Sequence, residues 1–517
     1  MVNIPKNYKM NKYKEADLCL IVEGAYPYIT GGVSSWLHNL VKAQSHLKIH
    51  IVALVPSPSG LKIKYELPEN VVGVSNIFLC DMKQGDNKLP AIESICRRLE
   101  QPLVEIQQHG GIFELSEIVK IFTPYRKQLG KRLLLNSESA WHLLLNMYRL
   151  TMPHESFVNY FWSWRSLLGS LFAVVIAPLP KARVYHTIST GYAGLLAARA
   201  KLETGRPVIL TEHGIYTNER RIEVMMADWF SAGSEDGLAL HKSRVSLRDM
   251  WIDTFKSYTR ACYTASDRII TLYDGNQKMQ LRDGADPDKL LIVPNGVDYE
   301  QFSEFSNMQK AATPTIALIG RVVPIKDVKT YIRASKILLE DIPDLQSLII
   351  GPTDEDPDYY QECQNVIKQL NCGKNIKFTG QARLDDYLAQ IDVVVLTSIS
   401  EAQPLVILEA GAAGIPAVAT DVGSCKEMLL GRKYESPPLG IGGVITSLAS
   451  PESTAHGIKQ LLLNDGWRKQ CGQVIQQRVK NMYNKKAIDE FYQMQYAEMS
   501  VKSSEKIFNR QETLWPA

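Results

Sequence analysis

The sequence predicts an α/β chain of two parallel-sheet units, the first interrupted by a helical insertion. Three observations lead there. At 517 residues the chain is too long for one hydrophobic core, so two or more domains are required. Short β-branched apolar runs alternate with helical patterns in two separate blocks, and such alternation is the signature of parallel sheets. Between the blocks, residues 299–313 are polar and without periodicity, as an interdomain linker is.

Residues 18–22 (LCLIV) form the first buried strand. It runs into EGAYPYITGGVSSWLHNLV, where Gly31 and Gly32 precede a helical pattern of Val33, Trp36, Leu37 and Leu40. A strand, a glycine turn and a helix let backbone come close to a phosphate. A strand at 50–55 completes a βαβ start. From about residue 80 to 180 the alternation stops, and Trp-, Tyr- and Leu-rich segments read as a helical insertion whose aromatics are core. It resumes at 183–187 (RVYHT), continues through the helix GYAGLLAARAKLE, and reaches a strand at 208–211 ending in Glu212-His213-Gly214. A histidine at the carboxyl end of a strand stands where parallel sheets place their sites. ASDRIITLYDGNQ and KLLIVPNGVD supply the last strands of the first unit, 1–298, which exits at Asn295-Gly296.

The second Rossmann-like unit spans 314–482. It begins with a strand at 315–319, followed by Gly320-Arg321 and, five residues after Arg321, Lys326. SLIIG, NIKFTG, DVVVLT and GIPAVAT then alternate with helices. Residues 483–517 read as a helix with a polar tail.

Composition is ordinary for a globular protein: 45% apolar, 22% charged, net charge +3, which gives no sign of a nucleic-acid binder. Eight cysteines show no C-x-x-C or Cys/His cluster, so neither zinc nor a disulfide framework is expected, and reduced cytosolic thiols are. The N-terminal stretch has lysines but no apolar core and does not read as a signal peptide. The most apolar charge-free segment, between Arg165 and Lys181, is interrupted by Gly169 and Pro178. It falls short of the ~20 residues that span a bilayer and reads as a buried helix.

The most informative stretch is LTSISEAQPLVILEAGAAG, 396–414. Glu401 lies in a loop at the carboxyl end of a strand, and Pro404 opens a helix as its first residue. Glu409 sits inside that apolar helix, where an unpaired carboxylate is costly. The ordinary reading has Glu409 capped by an arginine or hydroxyl, and Glu401, Arg321 and Lys326 as solvated loop charges. Asp354, Asp356 and Asp358 have the D-x-D spacing of metal-dependent glycosyltransferases, but they precede a helical pattern, where acids favour the helix dipole.

Together, two glutamates with seven residues between them on a strand–loop–helix, with Arg321 and Lys326 upstream, resemble the E-x7-E glycosyltransferases of family 4. These are retaining, nucleotide-sugar-dependent enzymes of GT-B fold, two Rossmann-like domains facing a central cleft. The resemblance implies that Glu409 holds the donor ribose, and that Glu401 and His213 are catalytic residues beside the donor sugar. It further implies a diphosphate held by Arg321, Lys326, the Gly31–Gly32 loop and the backbone N–H groups near Leu405 and Val406. No cofactor or metal is implied, the UDP-sugar being a substrate. Two departures stand out: Ala402 and Gln403 replace the usual glycine after the first glutamate, and Asp327 replaces the glycine after the lysine, which could alter the loop.

EGAYPYITGGVSSWLHNLV, YHTISTGYAGLLAARA, TEHGIYTNERRIE, SISEAQPLVILEA and VGSCKEML, with the helical insertion, resemble the Pel-type exopolysaccharide glycosyltransferases over about residues 17–496. That likeness implies a cytoplasmic enzyme at the inner face of the membrane. It would use UDP-glucose before other UDP-sugars, extend a polysaccharide acceptor, and work with membrane-bound export components. The C-terminal helix would cross back to the first domain. Two alternatives stay open: a GT-B epimerase or hydrolase indifferent to acceptor, and a non-catalytic scaffold that binds no nucleotide.

Overall fold

Two sheets carry the fold. A computed structural model describes residues 15–24, 26–226, 246–307, 313–433 and 435–512, with side chains of the last helix to 502. The N-terminal stretch read as lacking a leader falls at 1–17 and lies almost wholly outside these residues, as do 308–312 of the linker and much of the polar tail. One unit comprises 1–271, 276–291 and 492–517; the other comprises 272–275 and 292–491.

The first unit holds β1 (Ala16–Glu23), β2 (Ile49–Val55), β3 (Val71–Phe78), β4 (Ala182–Thr187), β5 (Val208–Glu212), β6 (Arg268–Thr271) and β7 (Leu290–Ile292). Their order is β3-β2-β1-β4-β5-β6-β7, and Leu20 of β1 lies in register between Ile51 and His186. β3 is absent from the sequence reading. It is an edge strand buried on only part of its length, so its VVGVSNIF run carries a weak apolar signal.

Between β3 and β4 come the helices Ile92–Ile106, Ile112–Phe122, Glu138–Thr151 and Phe157–Ile176. The last is buried throughout residues 167–176. Its end is held by the wholly buried Arg199, which donates to the carbonyls of Val174 (2.7 Å) and Ala177 (2.8 Å) and pairs with Glu203. Among the described residues no helix is long and apolar enough to cross a membrane.

The second unit holds β8 (Thr315–Ile319), β9 (Gln346–Ile350), β10 (Ile376–Gly380), β11 (Val393–Leu396), β12 (Ala417–Thr420) and β13 (Gly443–Thr446), in the order β10-β9-β8-β11-β12-β13 with all pairs parallel. β13, the other strand the sequence reading lacks, is again at an edge. In each sheet the order reverses beside the unit's first strand, and ligands of doubly wound sheets bind at that switch. The linker is more regular than expected, because Asp298 caps a short helix, Tyr299–Ser303. The C-terminal helix runs Lys485–Glu512, and from Tyr492 onward it belongs to the first unit.

Asp327 shows how one departure is accommodated. It adopts the left-handed conformation (φ 45°, ψ 52°) that a glycine takes freely, and its carboxylate accepts from Thr330 N at 3.3 Å, capping the helix Val328–Leu338. Losing such a cap to alanine costs about 1 kcal/mol, and a left-handed alanine costs about 1 kcal/mol more. Glycine loses the cap but relieves the backbone. Asp327→Ala is therefore expected to destabilise the second unit by about 2 kcal/mol in urea unfolding, while Asp327→Gly stays within about 0.5 kcal/mol of wild type. An alanine variant as stable as wild type would contradict both assignments.

Candidate active-site residues in each unit

In the second unit the loops after β8 and β11, the two strands flanking the switch, are bonded to each other. Thr397 Oγ1 donates to the carbonyls of Lys326 and Asp327, each at 3.0 Å, and Ile399 N donates to Ile325 O at 2.8 Å. Lys326 Nζ and Glu401 Oε1 form an ion pair at 2.5 Å, with side chains only 20% and 15% exposed. Two residues read separately in the sequence thus meet. Arg321 lies on the same β8 loop but pairs with Glu355 at 2.5 Å, in the open.

Pro404 is the N-cap of the helix Leu405–Ala412, so the first helical residue is Leu405 and not the proline. No side chain caps this end and its first turn carries no acid, so the positive end of the helix is free to face an anion at Leu405 and Val406. The helix packs through Gly411, where an added Cβ would lie 2.7 Å from Ile475.

The expected cap on Glu409 is not there. Its side chain has no hydrogen-bond or ion-pair partner among the described residues, because its own helix offers apolar neighbours and the nearby charge is another acid, Asp385. Burial, with Asp385 adding repulsion, pushes its carboxyl up to about 7. A half-buried carboxylate without donors is an acceptor site held open.

Two features of this loop were invisible in the sequence. Gln403 is buried, and its Oε1 accepts from Asn295 N at 2.7 Å, tying the Glu401 loop to the exit turn. Gly423 backs the same loop: its φ is +53°, and an added Cβ would lie 2.2 Å from Glu401 O and 2.4 Å from Ala402 O. Three acids of the TDEDPDYYQEC motif are engaged. Asp356 caps the helix Pro357–Gln369 through Tyr359 N, Glu355 pairs with Arg321, and Glu362 pairs with Lys329.

In the first unit, Gly31 is the N-cap of the helix Gly32–Ala43 in extended backbone, with no side-chain cap. An added Cβ on Gly31 or Gly32 would meet nothing within 4 Å, so the protein's own packing does not demand glycine there; the space is open. Four residues along that helix, Trp36 sets its ring edge-on to His213, centroids 4.5 Å apart. His213 follows β5, and its Nε2 is buried with no hydrogen-bond partner among the described residues. Burial lowers its pKa to about 4, so the ring is neutral at physiological pH.

Glu212 beside it is caged by four donors: Tyr263 Oη and Gln280 Nε2 at 2.9 Å, and Thr190 Oγ1 and Tyr216 N at 3.3 Å. Burial still raises it to about 7. Glu23, at the end of β1, was not singled out in the sequence; it accepts from Ala193 N (3.0 Å) and Tyr216 Oη (2.8 Å). No position pattern marks such residues, because their partners lie about 170–190 positions away.

Comparison with known proteins fits this geometry. The family described as "Domain of unknown function (DUF3492)" matches residues 16–288, and "Glycosyl transferases group 1" matches 300–478. A D-inositol 3-phosphate glycosyltransferase of Streptomyces coelicolor is 32% identical over 189 residues, 31% of this chain and 41% of that protein. An Escherichia coli UDP-Gal:α-D-GlcNAc-diphosphoundecaprenol α-1,3-galactosyltransferase is 27% identical over 253 residues, 46% of this chain and 57% of that one. The chain therefore spans about half the length of these curated relatives. Anabaena Alr3699/HepE, solved in complex with UDP, superposes with a TM-score of 0.56 at 13% identity, over 93% of this chain and 100% of that one, a likeness of fold. With two Rossmann-like units and these matches, the chain belongs to the DUF3492 family, and its second unit is a group 1 glycosyl transferase domain of the GT-B architecture.

Proposed function

We propose that this protein is a retaining, family 4 hexosyltransferase of the PelF type. It moves a sugar from a UDP-sugar, UDP-glucose before others, to a growing Pel-type exopolysaccharide at the cytoplasmic face of the membrane, alongside membrane-bound export components. The observation that carries this reading is the grouping at the second unit's switch point. There the Lys326–Glu401 pair lies on the loops that flank the switch, and the helix after the Glu401 loop has an uncapped start and carries the partnerless Glu409. The UDP in the Anabaena structure and the UDP-sugar in the E. coli relative's name support the choice of nucleotide.

The chemistry follows from charge. Breaking the bond between the sugar and the diphosphate leaves negative charge on the departing phosphate. Lys326, Arg321 and the helix N-terminus stabilise it where a metal otherwise would. Glu409 accepts the ribose hydroxyls. Retention needs no covalent nucleophile: the acceptor hydroxyl attacks from the face the nucleotide leaves, and its proton passes to the departing phosphate oxygen. Glu401 contacts the sugar, and neutral His213 is the first unit's candidate catalytic residue.

Three outcomes test this. Arg321→Ala and Lys326→Ala should each weaken UDP binding tenfold or more by calorimetry, since a hydrogen bond to a charged group contributes roughly 1.5–3 kcal/mol; unchanged affinity in both would remove the phosphate site. Sugar transfer should persist in excess EDTA, and loss that Mn²⁺ or Mg²⁺ restores would overturn the metal-free reading.

Glu409 gives the third. In a thermal-shift panel UDP and UDP-glucose should stabilise, dUDP less, and ADP or GDP hardly at all, whereas equal shifts from ADP-glucose would remove the uridine claim. Hydroxyl donors favour the charged carboxylate, so binding pulls the Glu409 pKa down from about 7 and releases a proton. UDP-glucose affinity should therefore rise from pH 6 to pH 8. Glu409→Gln should bind more weakly with no such rise. The folded pKa is raised, so Glu409 costs stability progressively as pH climbs from about 4.5 to about 7; the same variant should gain stability at pH 8 and almost none at pH 3.5.

A further inference from the structure

We propose that Trp36 is a positioning residue for His213, and that the C-terminal helix holds Trp36 in place through Tyr492. The consequence for turnover rests on the reading of His213 given above. The geometry is a chain of rings within the first unit. Trp36 stands edge-on to His213, with centroids 4.5 Å apart at 73°, and edge-on to Tyr492, 5.7 Å away at 71°. Tyr492 is fixed in turn: its hydroxyl bonds Thr211 Oγ1 at 3.1 Å, and its ring stacks on His186 at 6.0 Å and 23°.

His186 is held from both sides, Nδ1 to Tyr496 Oη at 2.8 Å and Nε2 to Thr211 Oγ1 at 2.9 Å. Thr211 is two residues before His213 on the same strand. Tyr492, Tyr496, His186 and Thr211 are all buried.

Packing must hold His213, because hydrogen bonding does not. Its Nε2 has no partner among the described residues, so no bond from that nitrogen sets the angle of the ring. The titratable side chains around it are His186 of β4, Tyr492 and Tyr496 of the C-terminal helix, and Glu212 of β5, whose carboxylate is engaged by Tyr263 and Gln280. Among the described residues no charged side chain is bonded to it, and the low pKa follows from exclusion of water. Opening the Trp36 side would both free the ring and hydrate it.

The test reads the His213 titration by NMR in the full chain, with the resonance assigned from His213→Gln. In wild type it should titrate near 4. Trp36→Leu and Tyr492→Leu should each raise the midpoint by about 1–2 pH units toward the ordinary histidine value near 6.5, whereas Trp36→Phe and Tyr492→Phe, which keep a ring in place, should hold it low. Turnover of UDP-glucose should fall tenfold or more in the leucine variants while UDP affinity stays within twofold.

A midpoint that does not move in either leucine variant overturns the proposal. So does a loss of turnover equal in the leucine and phenylalanine variants with no change in titration, which would mark a structural role only. Should Trp36→Leu fail to fold, Tyr492→Leu and the two phenylalanine variants decide the matter. If wild type turns over no nucleotide sugar, the functional reading fails, and the titration still judges the positioning.

Discussion

Much of the second unit's candidate site hangs on one desolvated ion pair, Lys326 with Glu401. Two charges with side chains 20% and 15% exposed have lost most of their water, and each makes the other tolerable. Removing one partner of such a pair costs more than the pair contributes, because the other charge is left stranded. Thr397 adds to this by bonding the carbonyls of Lys326 and Asp327, and Gly423 closes behind the Glu401 carbonyl where no side chain fits. The loops after β8 and β11 are therefore a single braced object. Arg321, on the same loop, pairs with Glu355 in the open, where an ion pair contributes little.

The buried ionisable groups sort by whether the chain supplies partners. Glu212 and Glu409 are both pushed to about 7, yet among the described residues Glu212 has four donors and Glu409 has none. Four donors make Glu212 a strut between strands and helices. Glu409 has no donor among the described residues, so burial and Asp385 act on its carboxyl unopposed. His186 and His213 respond to burial in the opposite sense and stay neutral, at about 3 and about 4. His186 is locked by two hydrogen bonds, whereas His213, whose Nε2 has no partner among the described residues, lies against the edge of Trp36.

The acidic run TDEDPDYYQEC shows how local demands draw on acids. Its alternate aspartates match a metal-binding pattern, but the helix that follows spends Asp356 on its N-cap, and neighbouring basic side chains take Glu355 and Glu362. A cap requires a carboxylate at one position relative to the helix, and that local demand is met before any longer-range one.

The sequence by itself determined the two-unit α/β plan, the helical insertion and most strands, because buried parallel strands are continuous β-branched runs flanked by helical patterns. The edge strands β3 and β13 escaped, since a half-covered strand needs fewer apolar residues. It also determined the positions of Arg321, Lys326, Glu401 and Glu409 relative to strand ends and a helix start, which are local properties. Tertiary structure alone decided who meets whom. That Lys326 binds Glu401, that Gln403 accepts from Asn295, and that Tyr492 reaches the ring beside His213 all depend on segments tens to hundreds of residues apart. Local periodicity carries no record of such pairings; they are set by the order in which the strands are laid into each sheet.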